Sequence, residues 1–204
     1  MSYAYTVQHW KLRLLKHPIE DSFGIEENRV FAISDGITRD PSLNLSKFSF
    51  ALKYPNPSPA KIASYIFTNT FVLRSRDYME INEETIRKLF ADANQSIGDW
   101  NNGQSKERDY VLNDFAGCTG CAAIESNGML FWGHISDCGV AFFDNDGNLC
   151  FRTEDFGPSR YNDAFWKDER LKGRTWKEPE VRKIIRKEYR NNPAQKNSYG
   201  ALTG

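Results

Sequence analysis

The sequence predicts an α+β domain built on antiparallel sheet. Three observations predict it. Short apolar stretches of strand length come in hairpin pairs, and two longer stretches with helical periodicity sit together between the strand groups. A last helical stretch follows, with no strand–helix–strand alternation of the parallel kind. At 204 residues, 40% of them hydrophobic, the chain can bury one core, and residues 1–204 read as a single domain.

Residues 5–15 set Trp10, Leu12 and Leu14 against Lys11 and Arg13, the alternation of a half-buried strand. "SFGI" and "VFAI" flank "EENR" and predict a short hairpin. Residues 37–57, rich in Pro, Asn and Ser, read as a loop. Ser58-Pro59 then opens a helix, a capping hydroxyl followed by proline in the first turn, with Ile62, Ala63, Ile66, Phe67 and Phe71 on one face. Asn82 caps a second helix over about residues 83–100, whose apolar face is Ile86, Leu89, Phe90, Ala93 and Ile97. A polar loop over 101–115 leads into "GCTGCAAIE", an Asn127-Gly128 turn and "MLFWGHIS". "GVAFF" and "NLCF" then pair across Asn145-Asp146-Gly147, completing a meander. A final helix over about 179–190 turns Val181, Ile184, Ile185 and Tyr189 inward.

Charge is balanced, with 27 basic and 27 acidic residues, so the chain carries no polyanion-binding signature, and nucleic-acid partners are excluded. The balance is uneven along the chain. Residues 167–190 carry most of the local positive charge, read as a solvated helix and loop first and an anion-docking surface second. No apolar run reaches the roughly 18 residues of a membrane span, and the N-terminus lacks a signal-peptide layout, so a cytoplasmic protein with reduced thiols is expected. Cys118 and Cys121 form C-x-x-C without a second pair at zinc spacing. On a strand their odd separation sends them to opposite faces, so they read as small buried residues.

The chemistry gathers in the carboxylates. "VFAISDG" is an apolar strand that ends on Asp35 with Gly36 behind it, and alone this is accounted for by an Asp-Gly turn. Glu20-Asp21, however, precedes the strand paired with it, so the hairpin carries three carboxylates to one sheet end. Asp137 leaves its own apolar strand in "GHISDC" as a fourth. Carboxylates so collected repel one another unless protons or a hard cation such as Mg²⁺ or Mn²⁺ settle them.

In order along the chain, "IED", "FAISDG", "GCTGCAAI" and "GHISDC" resemble the motifs of the metal-dependent protein phosphatases of type 2C. Those are an acidic pair, an apolar strand ending in Asp-Gly, a Gly-Ser/Thr-Thr/Ala strand and a strand ending in Gly-Asp-Ser. The likeness runs over about residues 12–151, and "NSYGALTG" is similar to the family's leucine-threonine segment. It implies a four-layer α-β-β-α sandwich of two antiparallel sheets flanked by helices, incomplete at the C-terminal end. Residues 155–197 would be a flap or insertion, with Phe165, Trp166 and Trp176 as its docking aromatics.

The implied activity is hydrolysis of phosphoserine and phosphothreonine in proteins, with two Mg²⁺ or Mn²⁺ ions and a third at Asp137. By motif position Asp35 bridges two metals and Gly36 offers its carbonyl. Glu20 binds one metal directly or through water, and Asp21 is the neighbouring catalytic carboxylate. A bridging water, acidified by the ions, attacks phosphorus in line. Lys16 stands where the family often has a phosphate-gripping arginine, keeping the charge without the bidentate fork. His17 and His134 lie near the motifs as proton donors, with His134 read as structural because it sits inside an apolar strand.

The chain departs from the family where Ile37-Thr38-Arg39 follows Asp-Gly, where Ser136-Asp137-Cys138 replaces Gly-Asp-Ser, and where the late aspartate ligands have no counterpart. Either the native chain runs on past Gly204 or it is a shortened relative. A catalytically deficient pseudophosphatase that acts as a protein-binding module is therefore the alternative expectation.

Overall fold

The structure, a computed structural model, describes residues 17–27, 29–40 and 54–204. It is a mixed α+β architecture with two antiparallel sheets. The expected strand over 5–15 and Lys16 lie outside the described residues, as does the middle of the 37–57 loop.

Strands β1 (Ser22–Glu26), β2 (Val30–Gly36), β3 (Cys118–Ser126) and β4 (Met129–Ile135) form one antiparallel sheet in the order β1-β2-β3-β4. Between β3 and β4, Asn127 and Gly128 both have positive φ, the twist that a two-residue hairpin requires and that Asn-Gly supplies cheaply. Helices α1 (Pro59–Ser75) and α2 (Glu83–Gly103) lie along one face of the sheet, α2 running slightly beyond the expected end. Their N-caps are the expected ones: Ser58 Oγ accepts from the Lys61 amide at 3.1 Å, and Asn82 Oδ1 from the Thr85 amide at 3.0 Å.

The core between helices and sheet holds Phe67 and Phe71 of α1, Leu89 and Ile97 of α2, and Ala32, Ala122 and Ile124 of the sheet. Ile62, Ile66 and Phe90 are only half-buried, at the margin of each helix stripe. The sheet is lined with small residues on this face because the helices press close. A Cβ on Gly120 would stand 2.7 Å from the Phe67 ring, and one on Gly36 only 2.5 Å from the Ala60 carbonyl oxygen. The opposite face carries larger side chains, and Phe23 and Ile33 are 47% and 46% exposed there.

Strands β5 (Ala141–Phe143) and β6 (Leu149–Arg152) form a separate ribbon, which touches the main sheet through Trp132 and Phe151, their ring centroids 5.6 Å apart. Beyond it come short α3 (Asn162–Phe165) and α4 (Pro179–Ile184), which widens into a π-helical turn over Ile185–Tyr189 rather than running on as one α-helix. Phe165, Leu171, Val181, Ile185, Tyr189 and Tyr199 build a second apolar cluster here. Phe165 is thus a core residue of this segment, not a docking aromatic, whereas Trp176 is 39% exposed.

The tail closes back on the sheet, Leu202 exchanging backbone hydrogen bonds with Cys118 at 2.8 and 3.0 Å. Buried Asn101 of α2 fixes this closure. Its amide donates to the carbonyls of Ala116 and Thr203, and its Oδ1 accepts from the Ala116 amide.

Candidate functional site

Strand register alone assembles an acidic row. Ser22 pairs with Ser34, so Asp21 stands level with Asp35 on the neighbouring strand. Asp35 pairs with Thr119, and Gly120 with Ile135, which brings Ser136 and Asp137 to the same end two strands over. Alternation sends Ser22 and Ser34 toward the helices, leaving Asp21 and Asp35 on the opposite face. Ser136 ends β4 with φ of 68°, a left-handed conformation rare outside glycine, and its carbonyl accepts from the Phe156 amide at 2.9 Å. This backbone reversal is what delivers Asp137, exposed, at the sheet end.

Asp35 retains exposed surface, yet the protein around its carboxyl removes hydration, and Asp21, Asp137 and Glu20 add negative charge. Burial first, then a charge and hydrogen-bond interaction with Asp21, raise it to about 7. Lys61 partly balances the row. Its ammonium donates to the Asp21 carbonyl at 2.6 Å and to Ser22 Oγ at 3.0 Å, while burial lowers its pKa against the pull of Asp21.

Glu20 is treated differently from its neighbour. It is 7% exposed, and three hydroxyls donate to it: Tyr54 at 2.6 Å and Ser58 on Oε1, and Thr38 at 2.6 Å on Oε2. Ser58 thereby serves twice, as helix cap and as Glu20 donor. Oε1 is taken by two hydroxyls and Oε2 by one, so a cation at Glu20 would compete with these donors. Asp21, expected outside the ligand set, is the acid that faces Asp35.

Asp35, Gly36 and Asp137 line one wall of a cavity of about 280 Å³. The facing wall, which the sequence reading did not anticipate, brings Asn113, Arg186, Arg190 and Tyr199 to the same space. Residues 167–190 are accordingly not a uniformly solvated basic face. Arg182, Arg186 and Arg190 are 5%, 5% and 9% exposed, while Lys183 and Lys187 point to solvent. Their four-residue spacing was the available signal, since on a helix over about 179–190 it would align the three cations, although Arg190 itself stands just past the last turn in extended backbone.

Neither His17 nor His134 lines this cavity. His134, half-buried, has its Nε2 3.2 Å from the Glu154 carbonyl and its ring near those of Trp132 and Phe156. His17 stacks near Tyr54 at 4.2 Å. Cys118 and Cys121 fall on opposite faces of β3, both buried, and burial pushes each thiol up to about 12.

Hard oxygen donors at Asp21, Asp35 and Asp137, with the Asp35 carboxyl raised to about 7 by burial and its acidic neighbours, suit a divalent cation. As arranged, no three His, Cys, Asp or Glu side chains among the described residues enclose a common ion position. Among the same residues no helix is long and apolar enough to cross a membrane. Compared with known proteins, the chain matches no family model and no curated sequence.

Proposed function

We propose that this chain is a Mg²⁺- or Mn²⁺-dependent phosphatase of the type 2C kind, hydrolysing phosphoserine and phosphothreonine in proteins. One observation carries the reading: strand register brings Asp21, Asp35 and Asp137 to the same sheet end, where Asp35 is raised to about 7. Such a row is electrostatically incomplete, and added positive charge relieves it. Divalent cations, when bound, would supply that charge, Lewis acidity toward a phosphoryl oxygen and an acidified water.

The chain's own residues set the stage. Asp35 and Asp137 would give a cation its anchorage, and Asp21, level with Asp35 on the neighbouring strand, adds negative charge beside it. Gly36, with no room for a side chain, keeps β2 tight against α1 and fixes the height of Asp35. The exposed apolar face bearing Phe23 and Ile33 is where a second sheet would stack to complete the four-layer sandwich.

The engagement of Glu20 by Tyr54, Ser58 and Thr38 favours a second reading, a pseudophosphatase that keeps the fold and binds a phosphoprotein without hydrolysing it. One experiment separates the two: phosphate release from p-nitrophenyl phosphate and a phosphothreonine peptide, with and without Mn²⁺. The phosphatase reading expects Mn²⁺-dependent release that falls by about 100-fold in Asp35→Asn. Absence of Mn²⁺-dependent release, or an Asp35→Asn protein as active as the parent, sinks it.

A further inference from the structure

Arginines 182, 186 and 190 form one buried file, and their partners are unevenly shared. Arg182 and Arg186 both use Asp40: Arg182 Nη1 lies 3.5 Å from Oδ1, and Arg186 Nη2 donates to Oδ2. Arg186 also donates to the carbonyls of Tyr110 at 3.1 Å and Val111 at 2.8 Å and stacks on Trp176. Its Nε, like that of Arg182, has no hydrogen-bond partner among the described residues although buried.

Arg190 lies over the Tyr199 ring at 5.8 Å, and its hydrogen bonds reach no charged acceptor. Its Nε lies 3.4 Å from the Tyr199 hydroxyl and its Nη1 3.3 Å from Asn113 Oδ1, both neutral oxygens at long range. No carboxylate stands within 4 Å of it among the described residues, and residues 1–16, 28 and 41–53 contain no aspartate or glutamate. A charge 9% exposed is normally paired, because burying it alone is costly. Arg190 instead opens on the cavity whose far wall is Asp35 and Asp137.

We propose that Arg190, with Asn113 and Tyr199 setting its plane, grips the phosphoryl group of the substrate. The cavity is then polarised. Its sheet wall is acidic and suits cations, while the wall at Arg190, just past the π-helical turn, offers a planar fork that matches two phosphoryl oxygens. This fork belongs to the segment at 155–197, whereas Lys16 lies outside the described residues. The inference rests on the phosphatase reading for the identity of the anion, though not for the existence of the anion slot.

The test is thermal unfolding of the full chain titrated with inorganic phosphate, against chloride at equal ionic strength, with kinetics on p-nitrophenyl phosphate alongside. Phosphate should raise the melting temperature progressively. Arg190→Met should lose that response while unfolding no lower in chloride, since it removes an uncompensated charge. Where hydrolysis is present, its KM should rise about tenfold with kcat less affected. Arg190→Lys keeps the charge without the fork and should show a weaker phosphate response; it decides the matter should Arg190→Met not fold.

A parent protein indifferent to phosphate, or variants that respond as the parent does, overturns the proposal. The two readings fail separately. An Arg190-dependent phosphate response without Mn²⁺-dependent hydrolysis sinks the phosphatase and keeps the slot. Hydrolysis with unchanged KM in Arg190→Met does the reverse.

Discussion

Glu20 and Asp35 are carboxylates at the same end of one sheet, and their surroundings handle charge in opposite ways. Around Glu20 the helix cap Ser58, the Tyr54 phenol and Thr38 point hydroxyl donors at both oxygens. Around Asp35 the neighbours are Asp21 and, farther off, Asp137 and Glu20, so its charge is opposed rather than welcomed. The first region satisfies a buried charge with fixed dipoles and needs nothing further. The second leaves a deficit that a proton fills in the free protein and a cation can fill in its place. Residue type alone does not separate a structural acid from a chemical one; the donors within reach do.

The largest expected effect tests the Glu20 half. Glu20→Ala leaves three hydroxyls without their charged acceptor, and hydrogen bonds to charged groups contribute about 1.5–3 kcal/mol each. A loss of about 3–5 kcal/mol in urea unfolding is expected, with Glu20→Gln costing about 1–2 kcal/mol because it keeps the shape and one acceptor oxygen. If Glu20→Gln instead stabilises the protein, the contrast with Asp35 collapses.

Gly36→Ala comes next. Its new methyl would meet the Ala60 backbone at 2.5 Å, so β2 and α1 must part, at about 1–3 kcal/mol. Because that movement shifts Asp35, Mn²⁺ binding measured by calorimetry should weaken as well. Unchanged stability would mean that the close approach does not hold Asp35 in place.

Much of this was legible in the sequence, for local reasons. Asn127-Gly128, Ser58-Pro59 and Asn82 announce their turns and caps because their chemistry is short-range. The alternation of "VFAISDG" puts Asp35 at a strand end whatever lies around it. Gathering Asp21 with Asp35 also followed, since a hairpin fixes its own register. What remained hidden depends on distant pairing. The hydroxyls that engage Glu20 come from Thr38, Tyr54 and Ser58, and only the fold brings them to it. Arg182, Arg186 and Arg190 look like solvated charges until Asp40, Asn113 and Tyr199 are seen against them. The π-helical turn over Ile185–Tyr189 has no marker in the sequence that we recognise.

The smallest expected effect concerns the proton on Asp35, because solvent reaches part of that carboxyl and screens the repulsion. In the folded chain Asp35 stays protonated up to about pH 7, whereas unfolded it ionises near the ordinary value of about 4. Between those limits the unfolded state binds fewer protons, so stability declines as pH rises from about 4 to about 7 and then levels off. The Asp35 contribution has no pH slope below that window, where both states hold the proton. Asp35→Asn carries no such proton and should flatten the decline, leaving the variant more stable than its parent at pH 7.5 in metal-free buffer. Saturating Mn²⁺ should stabilise the parent at that pH and do much less for Asp35→Asn. A set of melting curves from pH 4 to 8, with chelator and with Mn²⁺, reads both effects. Parallel pH profiles for parent and variant would show that Asp35 is as well satisfied as Glu20, and the acidic row would then lose its claim to a cation.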